Sequence, residues 1–236
     1  MYEYQLQIGI CHVGKDNLLK LGSAIDILQN ATWFQLGTET VFIDYFQKNN
    51  SGMFLISRQM DIARLPAYGE RVTARSWVTG CDRLFGYRNT AIYDAQGHLC
   101  IGTYAVGAFA DLKRMAPARI PQELPGKVKI YPALDMEILP RKIPVPSVMA
   151  RLPDTIRVQD YHLDNYGHMN NARYVDIASA YIPEYFQVRR IRLEYKNMAL
   201  CGDSIIPHFA QVDEATLIVT LNGEDGKLFA VMEFIS

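Results

Sequence analysis

Apolar and polar positions along the chain follow two periods, and the order of those periods is given twice. Gly22–Leu36 (GSAIDILQNATWFQL) sets Ile25, Leu28, Gln29, Thr32 and Leu36 at helical spacing with an apolar stripe, and Ser23 stands where a cap belongs, so the segment predicts a helix. Beyond the polar break Lys48-Asn49-Asn50-Ser51-Gly52, strands are predicted over Met53–Arg64, Arg71–Thr79, Leu84–Tyr93 and Leu99–Asp111. Pro66-Ala67-Tyr68-Gly69 and Asp94-Ala95-Gln96-Gly97 supply the turns between them. The second half repeats this order: a helix over Asn171–Phe186 with Tyr174, Ile177, Ala178 and Tyr181 on one face, then strands over Arg189–Lys196, Ser204–Asp213, Thr216–Leu221 and Leu228–Ile235.

The punctuation repeats as well. Ile62 to Gly69 and Tyr195 to Gly202 are both seven positions apart, each ending in an acid (Glu70, Asp203), and Gly97 answers to Gly226. Two copies are too few and too long for a solenoid, so the pattern predicts a duplicated α+β unit. Residues 1–115 form the first unit and 151–236 the second, and the proline-rich stretch 116–150 reads as an extended linker.

Charge and cysteine use narrow the functional classes. With 236 residues and a formal net charge of −1, the chain has no bulk attraction for nucleic acid or an anionic membrane. No apolar run is long enough to span a bilayer and the start lacks a signal-peptide pattern, so a cytoplasmic protein is expected. Cys11, Cys81, Cys100 and Cys201 are scattered without a C-x-x-C pair, which suits reduced packing residues and argues against a metal knuckle.

The densest chemistry lies at Asp164-Asn165-Tyr166-Gly167-His168-Met169-Asn170-Asn171, directly before the second predicted helix. An acid, a histidine and side-chain amides within eight residues read as a site for acid–base chemistry, with a group that moves a proton near neutrality. Asp164 can be base or nucleophile, His168 can relay a proton, and Gly167 with the first N–H groups of the helix offers an oxyanion site. A structural reading stands beside this one: Asp164 as an Asx-turn residue and Asn170 or Asn171 as a helix cap.

With the duplicated layout, these residues resemble the acyl-acyl-carrier-protein thioesterases of double hot-dog fold. In the first half the resemblance rests on Ser23–Gln29, Ser57-Arg58, Ile62, Pro66, Gly69-Glu70, Tyr93-Asp94 and Gly97. In the second it rests on Asp164, Gly167-His168-Met169-Asn170-Asn171, Tyr174, Leu193-Glu194-Tyr195 and Gly202-Asp203. It implies an α+β tandem hot-dog, each unit a long helix wrapped by a curled antiparallel sheet. The implied reaction is hydrolysis of the thioester between a fatty acyl chain and the phosphopantetheine of the acyl carrier protein, with no cofactor and no metal. The carrier protein is then the partner, with neither nucleic acid nor membrane, and the enzyme is a monomer or homodimer. Asp164, His168 and Asn170 are the implied catalytic residues, and Tyr166 joins them as a candidate through the hydrogen bond its hydroxyl can donate. Gly167, Asn171 and Tyr174 are expected to bind substrate, and Ile25, Leu28, Thr32 and Trp33 of the first helix to line an acyl tunnel between helix and sheet.

Two positions depart from the plant members of the family. Tyr166 stands where they have an Asn two residues before the histidine, and Met198 where a Glu often follows the Leu-Glu-Tyr strand. Three readings stay open on this ground: an acyl-carrier-protein thioesterase using Asp164 and His168, an acyl-coenzyme A thioesterase, and an acyl-binding module without turnover. Val13–Leu18, the counterpart loop of the first half, keeps only Asp16, so one active site per chain is expected.

Overall fold

The structure is a computed structural model and describes residues 1–236. Contacts divide the chain into two compact units, Met1–Leu19 with Asp26–Ile138, and Lys20–Ile25 with Leu139–Ser236.

The first unit contains β1 (Tyr2–Gln7), most of α1 (Leu21–Leu36), α2 (Thr40–Asn49), β2 (Ser51–Ile62), β3 (Arg71–Cys81), β4 (Phe85–Asp94), β5 (Leu99–Asp111) and the two-residue β6 (Ala116–Pro117). Its antiparallel strands run in the order β1-β3-β4-β5-β2. Register places Ala74, Ile92, Ile101 and Ile62 in one row across a single face, and that face lies under the helix. Ala24, Ile25, Leu28 and Ala31 are fully buried along α1, so the buried stripe keeps Ile25 and Leu28 of the predicted one while Gln29, Thr32 and Leu36 are only half-buried. The Tyr4 hydroxyl donates to the Ile27 carbonyl at 2.9 Å, and Phe34 packs edge-on against Tyr4, which ties β1 to α1.

Two elements go beyond the sequence reading. β1 is an alternating strand half-buried on one side (YEYQLQ). α2 carries Phe42 and Phe46 four residues apart, and both rings pack on Phe109. Phe42, Phe109, Ile120 and Leu124 form a small core of their own. The helix start also differs: the Ala24 N–H donates to the Lys20 carbonyl, so Lys20 stands at the cap position and Ser23 lies inside the first turn.

The second unit holds β7 (Ala150–Arg151), β8 (Ile156–Arg157), α3 (Asn171–Ser179), β9 (Arg190–Tyr195), β10 (Ser204–Asp213), β11 (Thr216–Asn222) and β12 (Leu228–Ile235). Its strands are antiparallel in the order β9-β12-β11-β10-β7, the same meander as in the first unit. α3 stops well short of Phe186. The N–H groups of Ala180, Tyr181 and Ile182 turn to carbonyls three residues back, and Pro183 cannot extend the ladder. Gly69 and Gly202, at φ 82° and 91°, hold equivalent left-handed turns and donate to Ile8 and Val158 carbonyls at 2.8 and 2.9 Å.

The proline-rich stretch is pinned rather than free. Within the first unit Trp77 Nε1 donates to the Pro132 carbonyl (2.9 Å), Asn89 Oδ1 accepts from the Leu134 N–H (2.9 Å) and Gln59 Nε2 donates to the Glu137 carbonyl (2.7 Å). These three side chains share the face opposite α1, so the strap covers it. Within the second unit Arg192 donates to the Pro140 carbonyl and Glu194 accepts from the Ile143 N–H. No helix is long and apolar enough to cross a membrane.

The start of α1 meets α3 at Gly22, where an added Cβ would lie 1.9 Å from Asp176 Oδ1. A carboxylate beside the first turn of a helix is favoured by the helix dipole, and this one also pairs with Arg173 at 2.6 Å. Alanine in place of a helical glycine ordinarily gains about 1 kcal/mol. Here Gly22→Ala is expected to lower the thermal midpoint by displacing Asp176, and to become neutral or stabilising in an Asp176→Ala background. Thermal unfolding of the four proteins of this cycle is the check, and additive effects would refute the contact.

Candidate active site

The loop before α3 is a closed hairpin whose backbone satisfies itself. A tight turn at Asp160–His162 begins it, and Leu163 then bridges to Met169. Between them the Asp164 N–H donates to the His168 carbonyl (2.7 Å) and the Gly167 N–H to the Asp164 carbonyl (3.0 Å). Gly167 takes φ 77°, which a side chain would resist. Asp164 Oδ1 accepts from the Tyr166 and His168 N–H groups at 2.9 and 3.2 Å, so the carboxylate holds the turn as an Asx acceptor. Asp164 and His168 are both half-buried, and Tyr166 is 55 % exposed at the tip.

Main-chain bonds at its base close this hairpin and fix it to the unit. The Asn170 N–H donates to the His162 carbonyl and the Met169 N–H to the Ala199 carbonyl, each at 2.9 Å. The Ala199 N–H in turn donates to Tyr174 Oη at 3.0 Å. Tyr174 is buried, stands edge-on to Tyr195, and has its pKa pushed up to about 12, chiefly by burial, so its hydroxyl stays neutral. Tyr195 Oη donates to the Asn171 carbonyl at 3.3 Å. Asn170 caps α3 through Oδ1, which accepts from the Ala172 N–H at 2.9 Å.

This accounting corrects the expected oxyanion site. Gly167 N–H is spent on Asp164, Ala172 N–H on the Asn170 side chain and Arg173 N–H on the Asn170 carbonyl, so the turn and the helix start do not present these donors. The Asn170 side chain is the alternative. Its oxygen caps the helix, which fixes the orientation of the amide and leaves its NH₂ group out of the cap bond.

The first unit contains a twin of the hairpin. Val13 bridges to Leu19, the Gly14 N–H donates to the Leu18 carbonyl (2.9 Å), the Asn17 N–H to the Gly14 carbonyl (3.0 Å), and Asn17 takes φ 61°. Both hairpins open on the same latch, missed in the sequence: Gly9 N–H to His12 Nδ1 in one, Gln159 N–H to His162 Nδ1 in the other, each at 3.0 Å. The signal was a histidine at the same place in each repeat. Gly14 stands at the place of Asp164, Leu18 at that of His168 and Lys20 at that of Asn170. Asp16 accepts the Leu18 N–H at 3.0 Å and so takes over part of the holding role of Asp164.

The remaining candidates are dispersed. Ile25 and Leu28 are fully buried in α1, Thr32 is half-buried with its hydroxyl on the Leu28 carbonyl, and Trp33 is 45 % exposed, away from the buried stripe. Met198 is half-buried beside the Ala199 anchor. Cys201 is exposed with its thiol pKa pushed up, first by a hydrogen bond with Asp160, which disfavours the thiolate. A cleft next to the loop is lined by Tyr161, His162, Arg173, Asp176 and Ile177.

A search of curated proteins gives no match by sequence. Among solved structures, an acyl-ACP thioesterase from Bacteroides thetaiotaomicron superposes with a TM-score of 0.87 at 20% identity, covering 99% of this chain and 96% of that one. The 12:0-ACP thioesterase from Umbellularia californica gives 0.84 at 14% identity, covering 99% and 96%. These likenesses show the fold, a double hot-dog in which each unit sets helix on curled antiparallel sheet. Residues 1–128, more than half of the chain, match the family model of the acyl-ACP thioesterase N-terminal domain. The chain therefore belongs to the acyl-ACP thioesterase family, the hydrolases of fatty acyl-acyl-carrier-protein thioesters.

Proposed function

We propose that the Asp164–Asn171 hairpin is the catalytic centre for hydrolysis of fatty acyl-ACP, with one such centre per chain. The observation that carries this is the pair of twin hairpins. The first-unit copy closes with the same backbone bonds although Gly14, Leu18 and Lys20 replace the acid, the histidine and the amide. The hairpin fold does not require those three side chains together, so their presence in the second copy is assigned to chemistry.

Asp164 takes a proton from water through the oxygen not held by the Tyr166 and His168 N–H groups, and the resulting hydroxide adds to the thioester carbonyl. The Asn170 NH₂ donates to the carbonyl oxygen as it becomes negative. Collapse breaks the carbon–sulfur bond, and the proton taken up by Asp164 passes by way of His168 to the departing pantetheine thiolate, leaving free fatty acid and both side chains as they began. Tyr166, exposed at the tip, contacts the pantetheine arm together with the cleft beside His162 and Arg173. Tyr174 acts at one remove, by holding the Ala199 anchor.

Asp164→Asn separates turn from chemistry, because an amide oxygen can still accept both N–H groups while the base is gone. It is expected to fold as wild type and to lose about 10²-fold or more in kcat on acyl-ACP. Full activity in Asp164→Asn would sink the assignment, and matching panels of acyl-ACP and acyl-coenzyme A thioesters on the wild type identify the carrier.

His162 generates a pH prediction. Burial, and secondarily the Arg173 cation, hold its pKa below the ordinary value, and its Nδ1 serves as acceptor for the Gln159 N–H. A histidine with a depressed folded pKa costs nothing above the unfolded value of about 6.5 and loses stability as pH falls below it. The thermal midpoint is expected to fall from pH 7 to 5, and less steeply in His162→Asn, whose side-chain oxygen replaces Nδ1. Identical slopes in the two proteins would remove His162 from the acid limb.

A further inference from the structure

We infer that His162 is a positioning residue for the hydrolysis: its neutral imidazole latches the base of the Asp164–Asn171 hairpin, and through that latch its own carbonyl sets the place of Asn170. The inference rests on the hydrolase reading above, in which the Asn170 NH₂ donates to the developing oxyanion, and deepens it to the group that holds Asn170. The bonds of Asn170 differ in origin. Its carbonyl accepts the Arg173 N–H and its Oδ1 the Ala172 N–H, each at 2.9 Å, and both partners belong to α3 and travel with it. Its own N–H donates to the His162 carbonyl at 2.9 Å, which ties it to the tight turn at Asp160–His162, outside the helix. Gln159 and His162 close that turn reciprocally: the Gln159 carbonyl accepts the His162 N–H (2.9 Å), and the Gln159 N–H donates to His162 Nδ1 (3.0 Å). The Leu163 N–H, which shares a peptide plane with the carbonyl that holds Asn170, is fixed in turn on the Asp160 carbonyl at 3.0 Å.

A ring nitrogen that accepts from a main-chain N–H carries no proton, so the proton of the neutral His162 ring sits on Nε2. Protonating the ring places an N–H at Nδ1 against the Gln159 N–H, donor against donor, and the latch opens. Arg173 and Asp176 of α3 and Tyr161 of the ring's own turn line the same cleft as His162, with the Tyr161 ring edge-on at 4.2 Å and Arg173 paired to Asp176 at 2.6 Å. Asp160, the acid of the turn, bonds the Cys201 thiol. Burial, ahead of the Arg173 cation, holds the imidazole below its ordinary value, so the latch is closed at neutral pH and opens in the acid range. The first unit supplies an internal control. Its His12 makes the same latch, with the Gly9 N–H at 3.0 Å, but Lys20 stands at the place of Asn170, so that latch has no amide to position.

The test is the pH dependence of kcat on acyl-ACP in wild type, His162→Asn and His12→Asn, each profile scaled to its own plateau. An asparagine oxygen accepts the Gln159 N–H and does not titrate, while Asp164 and His168 are common to all three proteins, so a difference between profiles belongs to the latch. Wild type is expected to lose kcat as pH falls below about 6.5, and His162→Asn to retain about threefold more of its plateau at pH 5. His12→Asn, the same change at the twin latch, is expected to overlay wild type. At the plateau His162→Ala, without an acceptor, is expected to lose about tenfold in kcat, less than the roughly 10²–10³ of removing an oxyanion donor outright, and His162→Asn to recover most of that loss. Coincident profiles for wild type and His162→Asn, an equal displacement in His12→Asn, or equal plateaus in the two His162 variants overturn the inference. Should His162→Ala not fold, the two asparagine variants decide. If the wild type hydrolyses no acyl-ACP, the hydrolase reading fails separately; the latch is then read from hydrogen exchange at the Asn170 N–H, corrected for intrinsic rate. Its protection is expected to fall from pH 7 to 5 in wild type and to hold in His162→Asn, and equal protection in the two overturns the inference.

Discussion

The closure of one short hairpin is the constraint on which the rest of the candidate site depends. A turn that leaves the Leu163–Met169 bridge and re-enters at once as a helix must place its amide protons within about six residues, and each unplaced one would cost of order 1–3 kcal/mol if buried. The chain meets this with its own atoms: the His168 carbonyl for Asp164, the Asp164 carbonyl for Gly167, the Asp164 carboxylate for Tyr166 and His168, and the His162 carbonyl for Asn170. Because Asp164 and His168 bond through main chain and side chain together, neither can move without the other. The same closure sets where α3 begins, and α3 presents Asp176 to the first turn of α1.

Much of this was legible in the sequence because it is local. β5, β10 and β12 have the bounds that two-residue alternation and the flanking turns indicated. What sequence did not disclose is where backbone donors go. The start of a helix preceded by glycine looks like an anion site in general, yet here Asn170 and the Asp164 carbonyl absorb the Ala172 and Gly167 protons. α2 had a readable signal in Phe42, Tyr45 and Phe46, but the polar Lys48–Gly52 break drew attention to a loop. Its helical state depends on Phe109, some sixty residues away, which no window of local pattern contains. Similarly, the proline density of 116–150 spoke for an extended strap but not for the anchors Trp77, Asn89, Gln59 and Arg192.

Position Met198 changes meaning once the anchors are seen. As a substitution for an acid it suggested lost catalysis. Its neighbour Ala199 bonds both the hairpin, through its carbonyl, and Tyr174, through its N–H. The segment after β9 thus supports the loop through main-chain atoms, which any side chain at 198 permits. The absence of a glutamate there leaves Asp164, His168 and Asn170 where they are.

Duplication lets one fold be read against itself, and the two copies have diverged in opposite senses. The second unit keeps ionisable and amide groups in its hairpin over an apolar sheet interior, Leu217, Val219, Phe209 and Met232. The first unit's hairpin has Gly14 and Leu18 at those places, over an interior that buries Arg88, Ser76, Thr90 and Thr103. Neither difference is demanded by the shared meander, since each unit forms it with the other's chemistry missing. Burying a cation costs several kcal/mol unless its donors are matched, and here Gln35, Ser76 and Glu39 match them from three separate elements. A cost of that size is met inside the unit whose hairpin carries Gly14 and Leu18 where the other has an acid and a histidine.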